Sequence, residues 1–271
     1  MDFTYFWAMF FKDVIGQEEV KKRLIKSVKE ERVSHAQLFA GPEGTGKLPL
    51  ALAFAQYVSC RNRQENDSCG ECPSCKKYQK LAHPDLHFAF PVFTTKELKK
   101  PISDDFIKQW REMVLKSPYF TLSQWLGFLN NENAQGLIYE RESDSITRKL
   151  NMKSFESEFK IMVIWLPEKM HKNCSNKLLK LIEEPPNKTF FLLITENEEG
   201  IITTIRSRAQ LVKLPFIDNK SMQTALEKIE GVDPAVVQDA VHLGSGNYLK
   251  ALGYLQPGED AQFFFVRFQE M

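Results

Sequence analysis

A glycine-rich segment near the amino terminus has the residue types that bind phosphate. The sequence GPEGTGK at residues 41–47 fits the pattern G-x-x-x-x-G-K, in which backbone N–H groups and one lysine surround the phosphates of a nucleotide. A short apolar run precedes it and an Ala- and Leu-rich stretch follows, so strand, loop and helix come in the required order. We predict a degenerate nucleotide-binding loop formed by Gly41, Gly44, Thr45, Gly46 and Lys47.

The residues that would hold a magnesium ion beside this loop are missing. The position after the loop lysine is Leu48, where a Ser or Thr hydroxyl normally binds Mg²⁺. The next buried strand, residues 160–166, should end in an acidic pair but ends in Trp165 and Leu166. The nearest carboxylate, Glu168, lies beyond the strand and is interpreted as a solvated residue at a helix start. We therefore expect ATP binding to be weak or absent.

Four cysteines form the second chemical feature. Cys60, Cys69, Cys72 and Cys75 lie close together in a polar stretch, and thiols spaced in this way are typical ligands of tetrahedral Zn²⁺. We predict a structural zinc site with all four as ligands. An iron–sulfur cluster and four reduced thiols are the alternatives. Cys174 stands apart and is expected to be a small core residue.

Composition and charge argue against two other classes of protein. The chain has 271 residues with 36 Lys and Arg against 35 Asp and Glu, so it lacks the basic field of an obligate nucleic-acid binder. No apolar run reaches the roughly 18 residues of a membrane span, and the first residues do not resemble a signal peptide. We expect a bacterial-type cytoplasmic protein with no membrane association, and Met1 and Met9 are both candidate starts.

Alternating strands and helices are predicted to position these residues. Apolar runs predict buried strands at 36–40, 160–166 and 189–195, and apolar spacing predicts helices at 18–31, 48–59, 103–115, 121–129 and 169–183. This alternation implies an α/β fold with a parallel sheet. The pattern turns helical from about residue 215.

Several motifs, in one order, resemble the clamp-loader branch of the AAA+ proteins, as found in bacterial DNA polymerase III. Besides the loop and the cysteines, they are VIGQ at 14–17, HAQLFAG at 35–41, HPD at 83–85, NKLLKLIEEPP at 176–186 and TIRSRA at 204–209. The resemblance runs from about residue 10 to about residue 257. It implies an AAA+ P-loop base with a parallel sheet flanked by helices, followed by a small all-helical lid.

The resemblance also implies domain limits. The base would span residues 1–214, with the cysteine module at 60–75 and an insertion at about 91–137 whose role the sequence does not assign. The lid would span 215–257. Residues 258–271 would begin a helical collar, so the sequence is expected to be part of a longer protein.

The predicted lid lacks an arginine that the family uses at its own nucleotide. Residues 244–252 resemble the sensor-2 helix, but the usual arginine position falls near Leu249. Lys250 is adjacent and would face another side of a helix. The resemblance therefore implies no tight triphosphate site within this chain.

One arginine carries the catalytic prediction. In the family, the arginine of the S-R-C motif reaches the ATP site of a neighbouring subunit, where its planar charged group offsets the charge that develops on the γ-phosphate. The match assigns this role to Arg208, with Arg206 as the competing position and Ala209 in place of the cysteine. Composition alone would favour an ordinary surface arginine.

The resemblance thus implies a clamp-loader subunit of the DNA polymerase III holoenzyme that does not hydrolyse ATP itself. It would act as a stator and offer Arg208 in trans while the sliding clamp is loaded on primed DNA. The implied partners are ATPase subunits of the gamma/tau type, a delta subunit, the sliding clamp and primer–template DNA. Three alternatives stay open: a divergent ATPase subunit that uses Glu168, a nucleotide-binding switch without hydrolysis, and a zinc-centred DNA-binding module.

Overall fold

Five parallel strands form the central sheet of the protein, for which a computed structural model describes residues 9–186, 188–229 and 231–255. The strands are β1 (Ala36–Ala40), β2 (Leu86–Ala89), β3 (Lys160–Trp165), β4 (Thr189–Thr195) and β5 (Gln210–Lys213). Their order is β2-β3-β4-β1-β5, and each neighbouring pair is parallel. Parallel strands that are covered on both faces read as mostly apolar runs, which explains AQLFA and TFFLLIT. The predicted α/β fold is confirmed.

Helices cover both faces of this sheet. They are α1 (Glu18–Lys29), α2 (Lys47–Ser59), α3 (Pro73–Tyr78), α4 (Ile107–Lys116), α5 (Leu122–Phe128), α6 (Glu140–Asn151), α7 (Lys172–Glu183), α8 (Thr203–Arg206), α9 (Asn219–Leu226), α10 (Pro234–Gly244) and α11 (Tyr248–Leu255). One apolar layer joins α1, α2, α4 and α5 to one face, and a second joins α6 and α7 to the other. Among the described residues, no helix is both long and apolar enough to cross a membrane.

Two predicted helices begin differently from the sequence-based expectation. The helix predicted at 169–183 begins at Lys172, because Pro167–Lys169 forms a separate 3-10 turn and the His171 side chain caps the new start by accepting the N–H of Asn173 at 3.3 Å. The helix predicted at 103–115 is divided into a 3-10 turn, Ser103–Phe106, and α4. The strands β2 and β5 and the helices α3, α6 and α8 were not predicted.

The predicted insertion at 91–137 is anchored at both ends. Val92 and Leu137 exchange two backbone hydrogen bonds of 2.9 Å each, so the insertion leaves and rejoins the fold at one place beyond β2. Its helices α4 and α5 bury Trp110 and Trp125 completely. The insertion is therefore part of the core rather than a surface loop.

A helical region follows β5 and has an apolar core of its own. Asp218 caps α9 and Asp233 caps α10, where Pro234 occupies the first turn. A turn at Ser245 and Gly246, both with positive φ, separates α10 from α11. The helical carboxy-terminal region is confirmed, its limits remain a prediction, and the predicted collar start at 258–271 lies outside the described residues.

Candidate functional site

The glycine-rich loop lies between the carboxyl end of β1 and the start of α2. Gly44 and Gly46 have φ angles of 71° and 84°, a backbone region that favours glycine. The Thr45 hydroxyl donates to the Pro42 carbonyl at 2.8 Å and tightens the turn. The frame of a phosphate-binding loop is therefore present.

The lysine of this loop is buried and already has partners. Lys47 is 5% exposed, donates to the Pro42 carbonyl, and lies 3.7 Å from the carboxylate of Glu196. Burial lowers the pKa of Lys47, while the carboxylates of Glu196, Glu168 and Glu43 act in the opposite direction. The charge that would meet a phosphate is thus surrounded by carboxylates of the same chain.

The cleft in front of the loop is narrow. Its cavity has a volume of about 20 Å³, room for about one water molecule, whereas ligand pockets usually measure about 300 Å³ or more. Tyr119 and Phe120 of the insertion, Trp165 of β3 and Leu249 of α11 line this cavity together with Leu48. These side chains leave little room in the cleft directly in front of the loop.

The end of β3, where carboxylates would bind a metal, is apolar and closely packed. Trp165 is 3% exposed, and its ring centroid lies 5.3 Å from that of Trp110 and 5.1 Å from that of Phe120. Trp110 stacks in turn on Phe90 at 4.2 Å. Leu166, the second position of the missing acidic pair, is 2% exposed. The insertion thus builds an aromatic cluster over the end of this strand.

Glu168 is not the solvated residue that the sequence suggested. It is half-buried, and its carboxylate accepts hydrogen bonds from the Thr195 hydroxyl at 2.8 Å and from the Glu196 N–H at 3.1 Å. The expectation failed because the 3-10 turn after β3 directs Glu168 towards the end of β4. Both carboxylate oxygens therefore already accept hydrogen bonds.

The helical region closes over the loop from the other side. The Tyr248 N–H donates to the Gly44 carbonyl at 3.2 Å, and a Cβ added to Gly44 would lie 1.9 Å from Oδ1 of Asn247. The ring of Tyr248 lies 4.9 Å from that of Tyr119, whose hydroxyl accepts the Ile15 N–H at 3.0 Å. The loop is a meeting point of the insertion and the helical region.

Leu249 lies where the sequence placed the sensor-2 position. It lines the cavity that Lys47 also lines, whereas Lys250 is exposed to solvent. The position that faces the loop therefore carries no charge.

The four predicted metal ligands come together. Their Sγ atoms lie within 4.8 Å of one another, with Cys60 and Cys69 at 3.5 Å and Cys69 and Cys75 at 3.9 Å. Four sulfurs around one Zn²⁺ at about 2.3 Å would lie about 3.8 Å apart, so the group fits a tetrahedral ion. The Cys72 N–H points to the Cys69 sulfur at 3.4 Å, as expected near thiolate ligands. The four cysteines could hold a metal ion.

The cysteine module is attached firmly to the base. The Ser74 hydroxyl donates to the Ser59 carbonyl at 2.9 Å, and the Ser59 hydroxyl lies 2.8 Å from that of Tyr78. These contacts join α3 to the end of α2. Cys174, by contrast, is a fully buried core residue of α7, as predicted.

Arg208 follows α8 and lies against its own chain. Its guanidinium donates to the Thr204 carbonyl at 3.0 Å and to a carboxylate oxygen of Glu183 at 3.1 Å. The Arg208 side chain is 33% exposed and that of Glu183 is 55% exposed, so the pair lies at the surface. Arg206 is exposed and forms no ion pair with the described residues.

The sequence-based prediction missed Glu196, Tyr119 and Asn247 at the loop. Glu196 could have been predicted, because it directly follows β4. The carboxyl ends of parallel strands lie on the same side of a sheet, and the loop follows the carboxyl end of β1. Tyr119 and Asn247 approach from the insertion and the helical region, and no local signal in the sequence marked them.

The family described as "DNA polymerase III, delta subunit" has a sequence pattern that matches residues 16–218. The chain is 28% identical over 211 residues to the delta' subunit of DNA polymerase III from Bacillus subtilis, a match that covers 78% of this chain and 51% of that protein. It is 27% identical over 234 residues to the tau/gamma subunit of DNA polymerase III from Haemophilus influenzae, covering 84% and 28%. The chain spans about half of the first relative and less than a third of the second.

The fold has solved relatives as well. A variant of RuvB from Thermotoga maritima aligns with a TM-score of 0.50 at 14% identity, over 94% of this chain and 65% of that one. At this identity the likeness concerns the fold alone. The predicted architecture of a parallel sheet followed by a helical region is confirmed.

Proposed function

This chain belongs to the family described as "DNA polymerase III, delta subunit", and we propose that it is the non-hydrolysing, delta prime type of clamp-loader subunit. In this role it is a stator that packs beside an ATPase subunit of the gamma/tau type. With a delta subunit, the assembly opens the sliding clamp and places it on primer–template DNA during replication in the bacterial cytoplasm.

The observation that carries the proposal is the state of the chain's own loop. Leu48 offers no hydroxyl to Mg²⁺, the strand end carries Trp165, and the loop lysine is offset by Glu196 at 3.7 Å. Phosphoryl transfer depends on a metal ion and on charged groups around the γ-phosphate. With apolar residues at the metal-binding positions, this site has a structural role and does not hydrolyse ATP.

The trans arginine is the contribution of this subunit to ATP chemistry. Arg208 lies at the surface, and its pair with Glu183 is exposed; such pairs contribute about 0–1 kcal/mol. A γ-phosphate of a neighbouring subunit would offer Arg208 a stronger bidentate partner, and an arginine finger can raise the rate by about 10³–10⁵. The free-energy cost of releasing Glu183 is small by comparison.

Zinc is the metal that we propose for the cysteine module. Four thiol ligands leave no open position for water, which is typical of a structural site. Cys60, Cys69, Cys72 and Cys75 would then hold together the end of α2, α3 and the turn between them. The module would stabilise the base and take no part in catalysis.

The test is a reconstituted clamp loader that carries Lys47→Ala in this chain. We expect DNA-stimulated ATP turnover and clamp loading at the level of the unmodified complex, because this loop does not work on nucleotide. The same alanine substitution in the loop lysine of the ATPase subunits is the control and should abolish turnover. Loss of turnover from Lys47→Ala in this chain would favour the divergent ATPase instead.

A further inference from the structure

A basic surface with an exposed aromatic ring lies at the amino ends of β2 and β3. We call it the Phe155 surface. It joins Met152, Lys153 and Phe155 to Arg61 and Lys77, which both contact Glu156, and to Lys76 and Lys80, which lie on either side of Lys77 in the sequence. The phosphate loop follows the carboxyl end of β1, so it lies at the opposite ends of these parallel strands. The proposed ATP chemistry uses no residue of this surface.

The apolar part of the surface is held in place by the fold. Phe155 is 84% exposed and Met152 is 62% exposed. Asp85, which is 2% exposed, accepts the backbone N–H groups of Phe155, Glu156 and Ser157 at 2.6, 2.8 and 2.7 Å. The backbone of Phe155 is thus fixed, while its large apolar side chain is exposed to solvent. Ordering this segment when a ligand binds would therefore cost little conformational entropy.

The charge around Phe155 is positive. The carboxylate of Glu156 contacts Lys77 and lies 3.6 Å from Arg61, so two cations already offset it. Glu71, in the turn before α3, is exposed and carries one further negative charge in this part of the sequence. Three exposed lysines form no ion pair with any described residue: Lys76, Lys80 and Lys153.

We infer that the Phe155 surface binds single-stranded DNA, with an unpaired base stacked on Phe155 and phosphates beside the three unpaired lysines. Proteins that hold single strands without sequence preference combine aromatic stacking with a basic surface in this way. Duplex DNA has no free base face to offer. A stable protein interface needs about 800 Å² from each partner around an apolar centre, which two exposed apolar side chains do not supply. The choice of DNA over RNA rests on the proposed function.

The experiment is a fluorescence anisotropy titration of the purified chain with a labelled oligo-dT of about 20 nucleotides at low salt. Phe155→Ala should weaken binding by about tenfold or more, because stacking of one base contributes on that scale. The double variant Lys76→Glu/Lys80→Glu should also weaken binding and should flatten its dependence on salt. All three positions are exposed, so we expect the fold to be unchanged.

Two matched controls are available in the chain. Phe216→Ala removes another exposed ring, and Lys108→Glu/Lys116→Glu makes the same charge change on α4; both should bind like the unmodified protein. Equal loss in the controls, no binding at low salt, or equal binding of duplex DNA or oligo-U would overturn the inference. Capture of an acidic protein in the absence of oligo-dT binding would overturn it as well. None of these results depends on Arg208, so they leave the proposed stator role untouched.

Discussion

The carboxylate of Glu196 lies 3.7 Å from the ammonium of Lys47, the group that meets the outer phosphates of a nucleotide in a working phosphate loop. Lys47 is buried, and the Glu196 side chain is 30% exposed. A triphosphate would have to displace this carboxylate and also approach Glu168 and Glu43. These carboxylates therefore oppose the binding of a triphosphate, which a loop of this type binds in a working ATPase.

The first prediction is that the isolated chain does not bind nucleotide. Titration with a labelled ATP analogue and Mg²⁺ should give the same flat response for the unmodified chain and for Lys47→Ala. The cavity of about 20 Å³ and the internal counter-charge both oppose binding. Saturable binding that disappears in Lys47→Ala would instead identify a nucleotide-dependent switch.

The second prediction concerns the aromatic cluster over β3. Trp110 is fully buried against Phe90, Phe120 and Trp165, so Trp110→Ala should lower the free energy of unfolding by about 3–5 kcal/mol. The measurement is equilibrium denaturation. Phe155→Ala, at an exposed ring, is the control and should change stability by less than about 0.5 kcal/mol. Similar losses in the two variants would contradict a core role for the insertion.

The third prediction concerns the cysteine module. Elemental analysis should find one zinc ion per chain, and a chelator should lower the melting temperature by about 5 °C or more. Cys72→Ser should lose the metal, whereas Cys174→Ala should keep it, because Cys174 lies in the core beside α6. A chain without stoichiometric metal would contradict the site, and iron in place of zinc would identify a cluster.

The fourth prediction concerns pH and the buried carboxyl of Glu142 in α6. Burial raises the pKa of Glu142 to about 7 from an ordinary 4.5, although the N–H and hydroxyl of Ser103 act to lower it. The folded protein therefore holds this proton more tightly than the unfolded chain. The resulting stabilisation is complete below pH 4.5 and is lost as the pH rises through about 7.

Denaturation at several pH values measures this effect. Between about pH 5 and pH 8, the free energy of unfolding of the unmodified protein should fall by on the order of 3 kcal/mol relative to that of Glu142→Gln. Glu140→Gln on the same helix is the control: the Glu140 side chain is 43% exposed, and its pKa is lowered by hydrogen bonds from Asn173 and Lys177. Any effect of Glu140 on the pH dependence of the free energy of unfolding is therefore expected at lower pH. Parallel stability curves for the unmodified protein and Glu142→Gln would contradict the prediction.

The sequence was informative where a local pattern dictates a local structure. The runs AQLFA, KIMVIW and TFFLLIT became strands because they are mostly apolar, and the four cysteines came together because their spacing is short. The strands β2 and β5 were missed because four residues give little periodicity, and in β5 only Val212 is buried. Strand pairing from distant parts of the chain decides such elements.

Contacts between segments that are far apart in the sequence could not be predicted either. Tyr119, Asn247 and Glu196 are far apart in the sequence, yet all three lie at the glycine-rich loop. The sequence predicted that the loop lacks its metal ligands. It did not reveal that the insertion and the helical region fill the space in front of it.

The most direct test of the stator account is DNA-stimulated ATP turnover by the reconstituted clamp loader with Arg208→Ala in this chain. The account predicts that turnover and clamp loading fall by about tenfold or more, since the neighbouring ATP site loses its trans arginine. Arg206→Ala, two residues away, should behave like the unmodified complex. Unchanged turnover with Arg208→Ala would contradict the trans-arginine role.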